Sequence, residues 1–360
     1  RAEALTRLAT DLHRRPELGL RETWACARQV GLLRRWGFRV RAPVGRIATA
    51  YRAAAGRGRP ALCIMAEYDA LPRLGHACEH NLIAAAALGA GAALAEALRA
   101  CRAPGTVVVL GTPAEEGIGG KVLLIERGAL RGIDAAVMAH PSWRTTPDAG
   151  CSAICRRDVS FRGRAAHAAA APEKACNALD AVLLVFQAVN AWRQQLPEAC
   201  RVHGVVSEGG TAPNIIPPAA SCVFYLRAPD DGLLGEMARR FDDIVRGAAL
   251  MTGTTARATA LERPYKARRP NGPLNEEWLA AAEAAGLRPR IPEAPSRASS
   301  DFGDVSQAVP GGHFYFAIAR RQIAAHSPAF ARAAGSRYGC SQMLRAAEAL
   351  AQVGWRFLTD

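Results

Sequence analysis

Residues 61–100 read ALCIMAEYDALPRLGHACEHNLIAAAALGAGAALAEALRA, and the order of textures inside them decides the fold. ALCIMA (61–66) is wholly apolar and has the length of a buried strand. A polar loop (67–81) crowded with His, Cys and carboxylates follows, and then an Ala-rich helical segment (82–100). TVVVLGT (106–112) is a second β-rich run, so the pattern is strand–helix–strand, and such a crossover predicts parallel pairing. AAVMAH (135–140) adds another strand and ends on a His. All three strands run, at their carboxyl ends, into polar chemistry: EYDALPRLGHACEH, PAEEG and HP. Ligands of open α/β sheets sit at that edge. A polar loop holding two histidines by chance explains one such strand end, but not three.

The rest of the chain sorts around this unit. Residues 3–36 have helical periodicity broken by RRPELGLRE around Pro16. Across 143–158 the texture changes. DVSFRG (158–163), RVHGVVSEGG (201–210), ASCVFYLRAP (220–229) and TTARATALER (254–263) read as strands. PEKACNALDAVLLVFQAVNAWRQQL (172–196) and LLGEMARRFDDIVRGAALMTG (233–253) read as amphipathic helices. Helical texture resumes after RPYKARRPNG, with FYFAIA (314–319) as a late strand. The expected architecture is α/β: a mostly parallel catalytic domain over 1–151 and 266–360, with an inserted α+β, ferredoxin-like domain over 152–265.

Composition narrows the classes. Half the residues are apolar and no low-complexity tract occurs, so the chain is globular, and its 360 residues predict two domains. The net charge of +14 suggests nucleic acid, but the basic residues are dispersed Arg, with Lys only at Lys121, Lys174 and Lys266. No basic cluster interleaves with aromatics, so no nucleic-acid partner is expected. Apolar runs are interrupted short of ~18 residues, so no membrane partner is expected either. Ten Cys without a CxxC pair read as thiols of a reducing compartment, predicting a cytoplasmic protein. Arg1 opens the chain without Met, so its N-terminus is expected to be trimmed and targeting is not legible.

Cys78, His80, Glu115, Glu116, His140 and, downstream in AHSPAF, His326 collect the ligand-type residues at the strand ends. His, Cys and carboxylate are the usual set for zinc and its neighbours. Adjacent glutamates diverge, so one can ligate while the other faces a water. His203 and His313 stay outside this set as structural histidines. Read singly, Cys78 is also compatible with a core thiol and His167 with a structural histidine.

Nearly end to end, the chain resembles the M-20 metallopeptidase family of aminoacylases, carnosinase-like dipeptidases and aminobenzoyl-glutamate hydrolases. The resemblance is carried by HRRPELGLRE, EYDALPRLGHACEHN, GTPAEEGIGGK, MAHP, GRAAHAAAAPEKACNALDA, GGTAPNIIP and SSDFGDVS. It implies two divalent metal ions, zinc or manganese, held by Cys78, His80, Glu116, His140 and His326. The soft Cys78 favours zinc. It further implies Glu115 as general base and His167 as a lid histidine that reaches a neighbouring active site and holds the oxyanion. Asn214 and Arg227 match positions that grip substrate; Asn214 equally reads as a turn cap before Pro217, and Arg227 as a surface charge. The implied reaction is hydrolysis of an amide bond in a small N-acyl amino acid, dipeptide or aryl amide, by a homodimer paired through the inserted domain. Two other readings stand beside it: a catalytically impaired relative serving as a binding or partner subunit, and a deacetylase or cyclic-amide hydrolase on the same scaffold.

DFG (301–303) lacks the other kinase signatures, and GIGGK (117–121) lacks phosphate-loop spacing because Glu115 stands where that motif needs Gly. Both are set aside. The chain departs from the family at Glu79, where Gly is usual. Alternation along an extended backbone points Glu79 away from the metals. A positive φ there imposes strain on a Glu, and a buried carboxylate needs a partner, for which Arg73 and His76 are the candidates.

Overall fold

The computed structural model describes residues 1–260 and 263–360 and divides into two compact units. The first comprises Arg1–Gly150, Arg268–Ser296 and Ser300–Asp360; the second comprises Cys151–Ala267 and Arg297–Ser299.

In the first unit, helices α1 (Ala2–Arg14) and α2 (Thr23–Arg35) precede strands β1 (Arg39–Arg41), β2 (Tyr51–Arg57) and β3 (Ala61–Ala66). Helix α3 (His80–Ala100), strand β4 (Gly105–Gly111), helix α4 (Gly120–Glu126) and strand β5 (Ala135–Ser142) follow. The sheet has six strands in the order β1-β2-β4-β3-β5-β10, where β10 is Gly311–Ala317. β4, β3, β5 and β10 are parallel, while β2 runs antiparallel to β4 and β1 to β2. The result is a mixed α/β sheet with a parallel centre. All six residues of β3 are buried, as expected of a strand covered on both faces.

Helix α3 lies at the centre of this unit. It is long and apolar enough to cross a membrane by length and composition, a property that the interrupted-run criterion overlooks. Its side chains are buried nearly all round because β3 and β5 flank it on one side and α10 (Arg337–Thr359) on the other. α7 (Gly272–Ala284) extends the same core, with Trp278 stacked on Phe314 of β10 at 4.7 Å. On the opposite face, Leu123 and Leu124 of α4 share an apolar cluster with Phe302 and Val305 of α8 (Phe302–Ala308). A short helix, α9 (Pro328–Ala334), precedes α10.

The second unit is a four-stranded antiparallel sheet, order β7-β8-β6-β9, with two helices. Its elements are β6 (Ala153–Arg162), α5 (Ala178–Arg193), β7 (Arg201–Glu208), β8 (Ala219–Ala228), α6 (Asp231–Thr252) and β9 (Thr255–Thr259). Of the strand expected over 254–263, residues 261 and 262 lie outside the described residues. Each helix starts on a capping side chain: Asn177 accepts from the Leu179 N–H and Asp230 from the Leu233 N–H. Ser152 N–H donates to Ala298 O, which attaches the Arg297–Ser299 segment to this unit.

Candidate metal centre

The chain turns away from three adjacent parallel strands at the same edge of the sheet, and each turn carries part of the site. After β3, the loop leads to Cys78 and His80. After β4, Thr112 N–H donates to Ala66 O, and the chain then turns through Ala114 at φ 60°. Glu22 Oε1 accepts from the Ala114 N–H at 2.8 Å and Asp69 Oδ2 from the Glu116 N–H at 3.0 Å, fixing the backbone that bears both glutamates. The turn closes against Gly120, where a Cβ would lie 1.7 Å from Pro113 O, so only glycine fits. His140 stands on β5. His326 arrives from the loop after β10, its N–H donating to Ala77 O.

Among the described residues, three groups of potential ligands result, the atoms of each within 4.8 Å of one another: Cys78–His80–His140, Cys78–Glu116–His326, and His80–Glu115–Glu116. Cys78, His80 and Glu116 each belong to two of them, so the three groups interlock. Cys78 Sγ lies 3.7 Å from His140 Nε2, and His326 Nε2 lies 3.6 Å from Glu116 Oε1.

The imidazoles are oriented from behind. His80 Nδ1 donates to Asp69 Oδ1 at 3.0 Å, and His140 Nδ1 donates to Pro141 O at 2.7 Å. Both rings therefore turn Nε2, the atom a metal would take, toward the cluster. Among the described residues, His80 Nε2 and Glu116 Oε1 are buried polar atoms with no hydrogen-bond partner. Orphaned polar atoms of this kind converging with a thiol fit a divalent cation, and a thiol–imidazole–carboxylate donor set fits zinc-like ions.

Electrostatics without a cation are unfavourable to charge on several of these groups. Burial pushes the Cys78 thiol well above its ordinary range, with the Glu116 and Glu115 carboxylates acting in the same direction. Burial also raises Glu115 strongly, reinforced by Asp301, Glu67 and Glu116. His140 falls to about 4, chiefly through burial. Burial opposes the His80 imidazolium, yet Cys78, Asp69 and Glu67 outweigh it and raise its pKa.

Beneath the cluster lies a layer that the sequence reading missed. Lys121 Nζ, 1% exposed, pairs with Glu67 Oε1 and Asp301 Oδ1, each at 2.5 Å, and Glu67 Oε2 is 3.4 Å from His80 Nε2. The Lys121 N–H also donates to Asp301 Oδ2 at 2.9 Å. The residues set aside in GIGGK and DFG are thus partners in one buried ion-pair network. Their separation in sequence hides this; only Asp69 and Glu67, inside the polar loop, offered a local signal.

Glu79 is the N-cap of α3 at φ 57°, ψ 27°, a left-handed conformation that favours Gly. It is fully buried, and among the described residues neither carboxylate oxygen has a hydrogen-bond partner, which corrects the expected pairing with Arg73 or His76. Burial raises it to about 10, so the folded metal-free chain holds its proton where the unfolded chain releases it above about 4.5. Stability from this group is complete below that lower value and declines as pH rises toward 10. Glu79→Gly relieves both defects. Thermal melts of the metal-stripped variant are expected to show a gain of about 1 kcal/mol at pH 5 that widens by pH 8, with metal binding retained. An unchanged melting point at both pH values contradicts this account.

His167, Asn214 and Arg227 belong to the second unit and are described there. His167 and Asn214 lie on adjacent backbone: Ala168 N–H donates to Asn214 O and Ile216 N–H to Ala166 O. His167 is exposed, and its Nδ1 accepts from the Ala169 and Ala170 N–H groups, both at 3.2 Å, leaving Nε2 as a donor. Arg227, half-buried on β8, donates to Ser299 Oγ at 2.8 Å.

Comparison with known proteins places the whole arrangement. The model of peptidase family M20/M25/M40 matches residues 63–353. The Xaa-Arg dipeptidase of Mus musculus is 40% identical over 321 residues, covering 84% of this chain and 73% of that protein. One of the p-aminobenzoyl-glutamate hydrolase subunits of Escherichia coli is 34% identical over 69% of this chain and 56% of that one. A dinuclear metal binding peptidase of the M20 family from Bacillus subtilis superposes with a TM-score of 0.74 over 99% of both chains at 20% identity, a likeness of fold. The family match across most of the chain and the identity to the dipeptidase lead to one conclusion: the chain belongs to peptidase family M20/M25/M40 and is a hydrolase of carbon–nitrogen bonds.

Proposed function

We propose that the chain hydrolyses the amide bond of a dipeptide or N-acyl amino acid at a two-metal centre. Cys78, His80, His140, Glu116 and His326 would hold the two ions, and Glu115 would act as the general base. The observation that carries this reading is the interlocking of three ligand groups through Cys78, His80 and Glu116, with a second glutamate, Glu115, beside Glu116. That full complement also weighs against a catalytically impaired partner subunit. When bound, divalent ions polarise the scissile carbonyl and lower the pKa of a water toward neutrality. Glu115 takes the proton of the attacking water and returns it to the leaving amine. Asp69 and the Pro141 carbonyl keep the imidazoles of His80 and His140 in the ligating tautomer. His167 donates from Nε2 to the oxyanion of the tetrahedral species, in the site of a partner chain. Arg227 or Asn214 holds the substrate carboxylate.

The second unit is assigned as a ferredoxin-like lid and dimerisation domain. Support comes from the edge strand β7, where Val205 and Val206 are 63% and 45% exposed. The Cys78 thiolate favours zinc over manganese. The activities after which the relatives are named define the assay: an Xaa-Arg dipeptide, p-aminobenzoyl-glutamate and N-acetylcysteine. Metal-loaded protein is expected to turn over the dipeptide fastest and to sediment as a dimer. No turnover of any of the three by protein of full metal content defeats the enzymatic assignment, and a fully active monomer defeats the shared site.

A further inference from the structure

Outside the metal centre, the first unit has a cavity of about 610 Å³ whose lining includes six arginines, Arg144, Arg288, Arg290, Arg320, Arg321 and Arg345, and no Asp or Glu. It lies among the segments that follow β5, α7 and β10 and the first half of α10, and no candidate metal ligand lines it. Among the described residues, none of these six arginines forms an ion pair, whereas Arg268 and Arg356 of the same unit do, with Asp148 and Glu277. Convergence of unneutralised cations is a cost to the free protein, and a bound anion removes it.

Several of these guanidiniums are held without being discharged. Arg345 Nη1 donates to Gly286 O at 2.5 Å. Gly286, at φ +75°, makes room for it, since a Cβ there would lie 2.3 Å from that nitrogen. Arg144 lies over the Trp143 ring at 3.7 Å and Arg320 over the Tyr338 ring at 5.3 Å. A carbonyl and two aromatic faces thus fix three forks while leaving their full charge for a ligand, and such preorganisation favours binding. All six arginines are exposed, so an anion from solution reaches them.

We propose that this cavity binds a small polyanion carrying at least two clustered phosphate groups, a polyphosphate or phosphate ester. One phosphate or carboxylate engages one or two guanidinium forks; only closely spaced charges use the set. A nucleic-acid strand calls for free aromatic platforms along a continuing basic groove, and here both rings already carry an arginine. The test is calorimetric titration of sodium tripolyphosphate, in low-salt buffer, into metal-loaded wild type and Arg288→Ala/Arg345→Ala proteins and into the Cys78→Ser protein. Saturable binding is expected in wild type, weakened by about a hundredfold in the arginine double variant and retained in Cys78→Ser. Both substitutions of the double variant are at exposed positions, and an unchanged melting point shows that it is folded. Equal binding by the double variant overturns the proposal. So does loss of binding in Cys78→Ser alone, which places the anion at the metal centre. Displacement by single-stranded RNA with affinity rising with oligonucleotide length overturns the assignment to a small ligand.

Discussion

Glu115→Gln is expected to lower turnover by about 10²–10⁴-fold, the range of a lost general acid–base residue, while metal content stays at the wild-type level. The substitution keeps side-chain volume and removes the ability to accept and return a proton. Glu116→Gln, one residue on, is expected to do the reverse and weaken metal retention, because the Glu116 carboxylate groups with Cys78 and His326. Measuring turnover and metal content for both variants separates the roles: swapped phenotypes mean that base and ligand are interchanged. The contrast depends on the turn from Ala114 to Gly120, pinned by Glu22 and Asp69, which fixes the backbone that bears both carboxylates.

Lys121→Met destabilises the chain by about 3–5 kcal/mol at neutral pH, the usual cost of leaving buried charge uncompensated. Lys121 Nζ is the shared partner of Glu67 and Asp301 inside the protein. Asp301 is already raised to about 6, chiefly by burial, with Lys121 holding it down. Without Lys121, the carboxylates take up protons more readily in the folded state, so the loss is largest at pH 8 and shrinks toward pH 5. Urea denaturation at the two pH values measures this. A change below about 1 kcal/mol at both shows that the network contributes little beyond what Met packing replaces.

The central βαβ pattern was legible because β3 and β4 are buried on both faces and read as unbroken apolar runs. β1 and β2 were not. RVR and YRAAAGR are short, rich in Arg, Ala and Gly, and pair antiparallel at the sheet edge, where burial imposes less pattern. The chemistry at the strand ends was legible for a similar reason: few other functions place Cys, His and paired Glu there. The buried layer beneath was not, because Lys121 and Asp301 meet only through the tertiary fold, one from the start of α4 and the other from the cap of α8. Glu79 was half-legible. The position's preference for a left-handed backbone follows from the family resemblance, whereas the lack of any partner for its carboxylate among the described residues depends on packing against residues distant in sequence.

The central claim is a two-metal centre at the interlocking ligand groups, and elemental analysis of the folded chain tests it most directly. Protein purified without chelator and saturated with zinc or manganese is expected to hold two ions per chain, and Cys78→Ser to lose affinity for both because its thiol belongs to two of the three interlocking ligand groups. A saturating stoichiometry of zero in wild type, or a Cys78→Ser variant that retains both ions with unchanged affinity, contradicts the account.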